Sequence, residues 1–361
     1  MNDTAMKISA RRPAIEAELA PTLSAIRTNC HITDARHATD YTMCVYLLKM
    51  REYFRWERNI PYSAALPGEE LTRWLSMREE LWEKLGGRPF GEVPVSDRSV
   101  DPFDADTINA HLNTRGYVYS SGYGLNMKPH FFLGELVEQR EFNGFTLYIS
   151  GTEYARDLTA PPAMSLGATI FIRQESLRRM IWEKVEEWRW NRPENAMRRA
   201  IDLYGFETAP DKALDSMTCN EVQSVLLHEI GEVMAGEALG DDWDSILAEL
   251  PHSKAEIMLR AVRDNLADTL STLPGLLEEL HPASMHFYIA NLTNMRKLLF
   301  PSLLHAYEEW DSTGSTGRLS DIVERGQDHW LSLARRIIDL CRNRNERCQQ
   351  EIVSMVEASA L

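Results

Sequence analysis

Basic charge is what this sequence is shortest of. Against 54 Asp and Glu stand 39 Lys and Arg, a net charge of −15. Phosphate recognition needs a basic footprint, so nucleic acid is excluded as a generic partner and an anionic membrane surface is disfavoured. Long apolar runs are missing too; none approaches the roughly 18 residues that span a bilayer. The start, Met1-Asn2-Asp3-Thr4-Ala5-Met6-Lys7 leading to Arg11-Arg12 and Pro13, has no apolar core of the kind a secretory signal carries. Five cysteines form no C-x-x-C pair and are odd in number. That is a reduced pattern rather than a disulfide framework, read as cytoplasmic. Gly116 to Gly124 is no phosphate loop, since no Gly-Lys-Ser/Thr follows, and no G-x-S-x-G marks a serine nucleophile. Its tyrosines instead suggest an aromatic flap.

What is present is a soluble globular composition, with 44% apolar and 26% charged residues. Helical periodicity dominates up to about residue 115. One helix is expected from a cap at Thr33 or Asp34 to about Glu57, and a second from Glu69 to Leu85. Gly86-Gly87-Arg88-Pro89 stops the latter, and a Pro- and Gly-containing connector follows to about Asp106. Strand patterns then take over: Tyr117-Val118-Tyr119, His130 to Glu141, Phe145 to Ile149 and Ala168 to Ile172. Asn143-Gly144 between Phe142 and Phe145 signals a hairpin. From Gln174 onward helices return, with Pro193 ending the first and Thr218-Cys219-Asn220-Glu221 read as a capping box. The expected fold is α+β and predominantly helical, a helix bundle with a small antiparallel sheet of three or four strands mid-chain. Residues 1–173 would form an N-terminal region and 174–361 a C-terminal helical domain.

The local scarcity of cations is greatest between Ala213 and Ser253, where nine Asp or Glu occur without one Lys or Arg. On a wheel of about 100° per residue, Ser224, His228 and Glu232 fall within about 60° of Glu221. Leu226, Leu227, Ile230 and Val233 lie opposite. A solvated acidic face normally mixes in Lys or Arg one turn away, and this one does not. Gly231, Ala235 and Gly236 border the stripe, as they would where another element approaches closely. Partly buried carboxylates need a cation, which points to a bound metal with His228 and Glu232 as ligands at i and i+4. Glu221 would be an outer acceptor or a ligand to a second ion.

A second stripe carries Asp34, His37, Tyr41, Cys44, Leu48, Glu52 and Arg55. Asp34, His37 and Glu52 form a candidate ligand set of the kind that helical di-metal proteins project inward. Tyr41 and Cys44 would tune an ion or take part in redox chemistry. The structural alternative leaves His37 and Tyr41 hydrogen-bonded, with Glu52 paired to Arg55 or Lys49. Asp264 and Asp268 read as an ion-pair face with Arg260 and Arg263.

The string His228-Glu229-Ile230-Gly231-Glu232 resembles a zincin active-site helix, with glutamate where that family has its second histidine. The resemblance implies a metal-activated water with Glu229 as general base; without the second histidine it does not carry peptidase activity over. Asp34-Ala35-Arg36-His37 and Cys44-Val45-Tyr46-Leu47-Leu48-Lys49-Met50-Arg51-Glu52 resemble uncharacterised proteobacterial proteins of an unknown-function family. The expected function is a metal-dependent enzyme acting on a small molecule. Iron or manganese oxidative chemistry suits the mixed His/carboxylate set, with a zinc hydrolase as the alternative. A non-catalytic helical regulatory or assembly module, its acidic stripe docking a basic partner, is the competing class. Self-association into a homo-oligomer stays open.

Overall fold

The computed structural model describes residues 17–361 except 125–126, 143, 251–252, 280 and 343–347. The N-terminal stretch read for a signal lies outside them, as does Asn143 of the hairpin. The chain folds as two compact units. Unit 1 runs to Glu187 and adds Gly205–Val222; unit 2 comprises Trp188–Tyr204 and Gln223–Leu361.

Unit 1 begins with helices α1 (Ala20–His37), α2 (Met43–Arg58) and α3 (Gly68–Leu85). The single helix expected over 34–57 is in fact two. His37 ends α1, a 3-10 turn covers Ala38–Asp40, and Thr42 is extended before α2. The sequence Thr39-Asp40-Tyr41-Thr42 explains the break, because short polar side chains compete with the helix for backbone hydrogen bonds. Asp34 is therefore no cap but a buried residue of the last turn of α1. The following connector is not featureless: β1 (Val93–Val95) pairs with β2 (Arg98–Val100), and α4 (Ala105–Leu112) is capped by the Asp104 carboxylate.

The main sheet has five strands, β3 (Tyr117–Tyr123), β4 (Pro129–Phe142), β5 (Phe145–Arg156), β6 (Ala163–Leu166) and β7 (Thr169–Arg173), in the order β3-β4-β5-β7-β6. The segment expected as an aromatic flap is the edge strand β3. Phe142 pairs with Phe145, as the hairpin reading requires. The expectation of a small antiparallel sheet of three or four strands is corrected in number, since this sheet has five strands and β1 with β2 forms another sheet, and in direction at one pairing. After β5 the chain crosses to the far edge, lays down β6, turns through Gly167 (φ +56°) and returns as β7 parallel to β5. Short β6, preceded by Pro161-Pro162, carries too little alternation to announce itself. Leu23, Ile26 and Cys30 of α1 cover one face of the sheet with Tyr119, Phe131 and Leu133. Met50, Phe54, Trp56, Trp74 and Trp82 form a second core around α2 and α3. Helix α5 (Gln174–Asn191) follows and ends before Pro193.

Unit 2 is wholly helical among its described residues. Helix α6 (Ala196–Tyr204) precedes α7 (Pro210–Leu239), whose residues from Gln223 belong to this unit. Helix α7 does not start at the expected capping box. Pro210 opens it, at a position where a missing N–H costs nothing, and Thr218 sits mid-helix donating its hydroxyl to the Leu214 carbonyl at 2.7 Å. Helices α8 (Asp241–Ala248) and α9 (Lys254–Ala267) follow. A π-helical turn over Asp268–Thr272 then runs into α10 (Leu273–Glu279). The remainder is α11 (Pro282–Asn291), α12 (Asn294–Leu299), α13 (Pro301–Thr313), α14 (Gly317–Arg342) and α15 (Cys348–Glu357). Leu259, Val262, Leu266, Phe300, Trp330 and Ile337 centre its core. Among the described residues no helix is long and apolar enough to cross a membrane.

Candidate functional site

The centre of unit 2 with the densest polar chemistry lies where α7 meets the π-helical turn. The two elements are brought together by a missing side chain. A Cβ at Gly231 would lie 2.3 Å from the Ala267 carbonyl oxygen, so only glycine lets α7 approach α9 this closely. That contact places His228 beside Asp268, the first residue of the π-helical turn. Such turns widen a helix locally and are common at functional sites.

Asp268 is 1% exposed and its carboxylate is fully engaged. Oδ1 meets His228 Nδ1 at 3.1 Å and accepts the Thr272 hydroxyl at 2.9 Å. Oδ2 accepts the Tyr288 hydroxyl at 2.6 Å and is paired with the Arg296 guanidinium. Arg296 also donates to Asn265 and to the Tyr288 oxygen, both at 3.2 Å. His228 differs from this buried set: its side chain is 38% exposed. Among the described residues its Nε2 has no hydrogen-bond partner. Glu232, one turn on, pairs with Arg263 at 3.2 Å, and Arg263 reaches Asp244 at 3.4 Å. Burial raises the Asp264 carboxyl above the usual range and Glu232 adds to it, outweighing Arg296 and His228.

The cations missing from residues 213–253 therefore come from elsewhere, Arg263 on α9 and Arg296 on α12. Asp268 departs from the ion-pair face expected for it, since Arg260 pairs with Glu256 and Arg263 with Glu232. Glu229 is half-buried on α7, and Glu221 is buried on the part of α7 that belongs to unit 1.

The residues of the other stripe all lie in unit 1 and disperse. His37 Nδ1 meets Asp40 at 2.9 Å near the surface. Asp34 is fully buried and accepts the Leu158 amide at 2.8 Å. Glu52 accepts from Arg51 at 2.8 Å and from Arg55 at 3.1 Å, the pairing anticipated as its structural alternative. Tyr41 shares a 2.8 Å hydrogen bond with Thr159, and Cys44 is exposed. Among the described residues no three His, Cys, Asp or Glu side chains come together in a way that could hold a metal ion.

Unit 1 has its own histidine–carboxylate pair, which the sequence did not reveal. His130 Nδ1 lies 3.0 Å from Asp157 Oδ2, and the other oxygen accepts the Thr159 and Ala160 amides at 2.8 and 2.9 Å. Burial alone would raise the Asp157 carboxyl, but His130 and these hydrogen bonds hold it well below the usual range. Asp34 goes the other way. Burial, then the nearby Asp157 charge, push it up to about 8 against the Leu158 amide, Lys128 and Arg78. The consequence for stability has a definite sign. An acid whose folded pKa exceeds its unfolded value of about 4 makes the native state lose stability as pH rises between the two. Asp34→Asn, which keeps an oxygen for the Leu158 amide, is expected to flatten the fall in urea midpoint between about pH 4 and about pH 8. An unchanged slope in the variant would remove Asp34 as its cause.

The family to which this geometry belongs is defined by matches over both halves of the chain. The N-terminal domain of the family of unknown function DUF6866 matches residues 22–173, and its C-terminal domain matches residues 178–359. The chain belongs to that family. No curated protein and no solved structure matches it.

Proposed function

We propose that this protein is an enzyme acting on a small molecule, with the His228–Asp268 pair as its acid–base centre. The observation that carries the reading is a buried carboxylate bound to Nδ1 of a half-exposed imidazole. A carboxylate in that position fixes the ring and favours the tautomer with the proton on Nδ1. Nε2 is then left with its lone pair directed away from Asp268, ready to take a proton from a substrate or a water. The imidazolium formed by that transfer is stabilised by Asp268 at 3.1 Å. Asp264, its carboxyl raised by burial and by Glu232, keeps a proton more readily than an ordinary aspartate and supplies the acid beside the base. Arg296 and Tyr288 hold Asp268 rather than the substrate. The reaction class this suits is proton transfer or hydrolysis.

A metal-dependent version rests on the same contact, because histidines that bind metals are oriented by a carboxylate on their other nitrogen. Nε2 of His228 and the Glu232 carboxylate would then be ligands, with Arg263 displaced from Glu232. Iron or manganese suits that mixed set, and zinc would bring Glu229 in as base. In either version His228→Gln is expected to abolish turnover with the thermal midpoint preserved, since a 38% exposed side chain contributes little to the core. Full turnover in the variant would eliminate both.

A further inference from the structure

Two lysines of unit 1 converge on one aromatic ring. The Lys49 ammonium lies 5.2 Å and the Lys128 ammonium 5.0 Å from the centre of the Tyr41 ring, and Lys128 donates to the Tyr41 hydroxyl at 3.2 Å. Lys128 is only 8% exposed, and Lys49 is half-buried. Among the described residues neither has a carboxylate partner. The carboxylates that face Lys49, Asp157 and Glu183, are both engaged: Asp157 with His130 and two amides, Glu183 with Arg179 at 3.1 Å. Three cations, Lys49, Lys128 and Arg179, thus crowd one region of a protein whose net charge is −15, against Asp157 and Glu183, which are engaged, and Asp34, whose carboxyl is pushed up to about 8. Their crowding shows in Lys49, which burial and then Arg179 push down to about 8. The carboxyl that faces Lys128, Asp34, is pushed up to about 8 by burial and so gives the ammonium only a weak counter-charge, and a buried charge that is poorly compensated is costly.

We infer that Lys49 and Lys128, with the Tyr41 hydroxyl between the hydroxyl of Thr159 and the Lys128 ammonium, bind the oxyanion end of a small ligand, a phosphoryl or a carboxylate group. An oxyanion supplies a full counter-charge and accepts from both ammonium groups. The loop that presents Thr159 is firmly built: Asp157 accepts two of its amides, Arg179 takes the Thr159 and Ala160 carbonyls at 3.0 and 2.7 Å, and Ala160 is held at φ +41°. Tyr41 also forms part of the wall of a cleft of about 600 Å³ with Tyr46 and Trp82, room for the organic part of such a ligand. This site and the His228 centre stand on different residues, and neither depends on the other.

Calorimetric titration of the full chain with inorganic phosphate, and separately with acetate, tests the inference. Saturable binding of one probe is expected, and the one that binds names the oxyanion class. Lys49→Gln and Lys128→Gln should each weaken it by about tenfold or more, the value of one charge-assisted hydrogen bond. Lys254→Gln, at an exposed lysine paired with Glu357, should leave it unchanged. Lys49 makes no hydrogen bond among the described residues, so its variant serves if Lys128→Gln fails to fold. No saturable binding of either probe overturns the site. Equal weakening by Lys254→Gln, or none by Lys49→Gln, does so too.

Discussion

Asp268→Ala is expected to lower the unfolding free energy by about 3–5 kcal/mol, the cost of removing one partner from a buried ion pair. The size follows from what is left behind. Arg296, its side chain 10% exposed, would keep hydrogen bonds only to Asn265 and the Tyr288 hydroxyl and would lose its direct ion-pair partner, with Asp264 and Glu232 left as the charges facing it. Tyr288 and Thr272 would each lose an acceptor as well. Asp268→Asn should cost less, because one acceptor oxygen remains for the Tyr288 hydroxyl and Arg296, or for Thr272. Replacing the pair together, Asp268→Ala with Arg296→Met, should recover part of the loss, since removing both charges avoids the orphaned cation. Chemical unfolding of the three variants checks this. A loss under about 1 kcal/mol in Asp268→Ala would mean the carboxylate is not the anchor of this centre.

The second large effect lies at the helix contact that builds the site. Gly231→Ala puts a methyl group 2.3 Å from the Ala267 carbonyl oxygen, and backbone cannot yield as a side chain can. Helix α7 must then move off α9, at a cost of about 1–3 kcal/mol, and His228 should be drawn away from Asp268. Gly236→Ala, five residues along the same helix, meets nothing nearer than Arg263 Nη2 at 3.8 Å. There the gain in helix propensity should win, raising stability by up to about 1 kcal/mol. Opposite signs in the two urea midpoints are the expected result. Destabilisation at both positions would point to helix strain in general rather than to the Ala267 contact.

Much of this was legible in the sequence where the signal is local. The Phe142–Phe145 hairpin, the helix over 69–85 and the stop before Pro193 depend on neighbouring residues, and they are found where the turn dipeptide, the periodicity and the proline put them. The break at 38–42 was misread because His37, Tyr41 and Cys44 keep helical spacing across it, while Asp34 is drawn to the distant Leu158 amide. The start of α7 was misread because a real Ser/Thr-x-x-Glu pattern sits inside a helix that an earlier proline begins. The parallel pairing of β5 with β7 is set by a crossover, which no strand pattern encodes.

The candidate site divides in the same way. His228, Glu232 and the bordering glycines stand out because they share one helix, and the close approach those glycines imply is there at Gly231. What the sequence hid was the source of positive charge. A search confined to the flanking turns finds no cation and leads to a metal, whereas Arg263 and Arg296 arrive from other helices. Lys49 and Lys128 were invisible for the same reason: each is unremarkable until the fold brings both to Tyr41.

The most direct measurement is turnover of the full chain on a panel of small esters, amides, phosphoesters and oxidisable amines and alcohols, wild type beside His228→Gln, with and without chelator. Activity on one class that vanishes in His228→Gln and survives chelator is the result expected for a His228–Asp268 acid–base centre; loss with chelator, restored by iron, manganese or zinc, would place the same histidine on a metal. A turnover rate that His228→Gln leaves intact would contradict the account, since no chemistry could then pass through this imidazole.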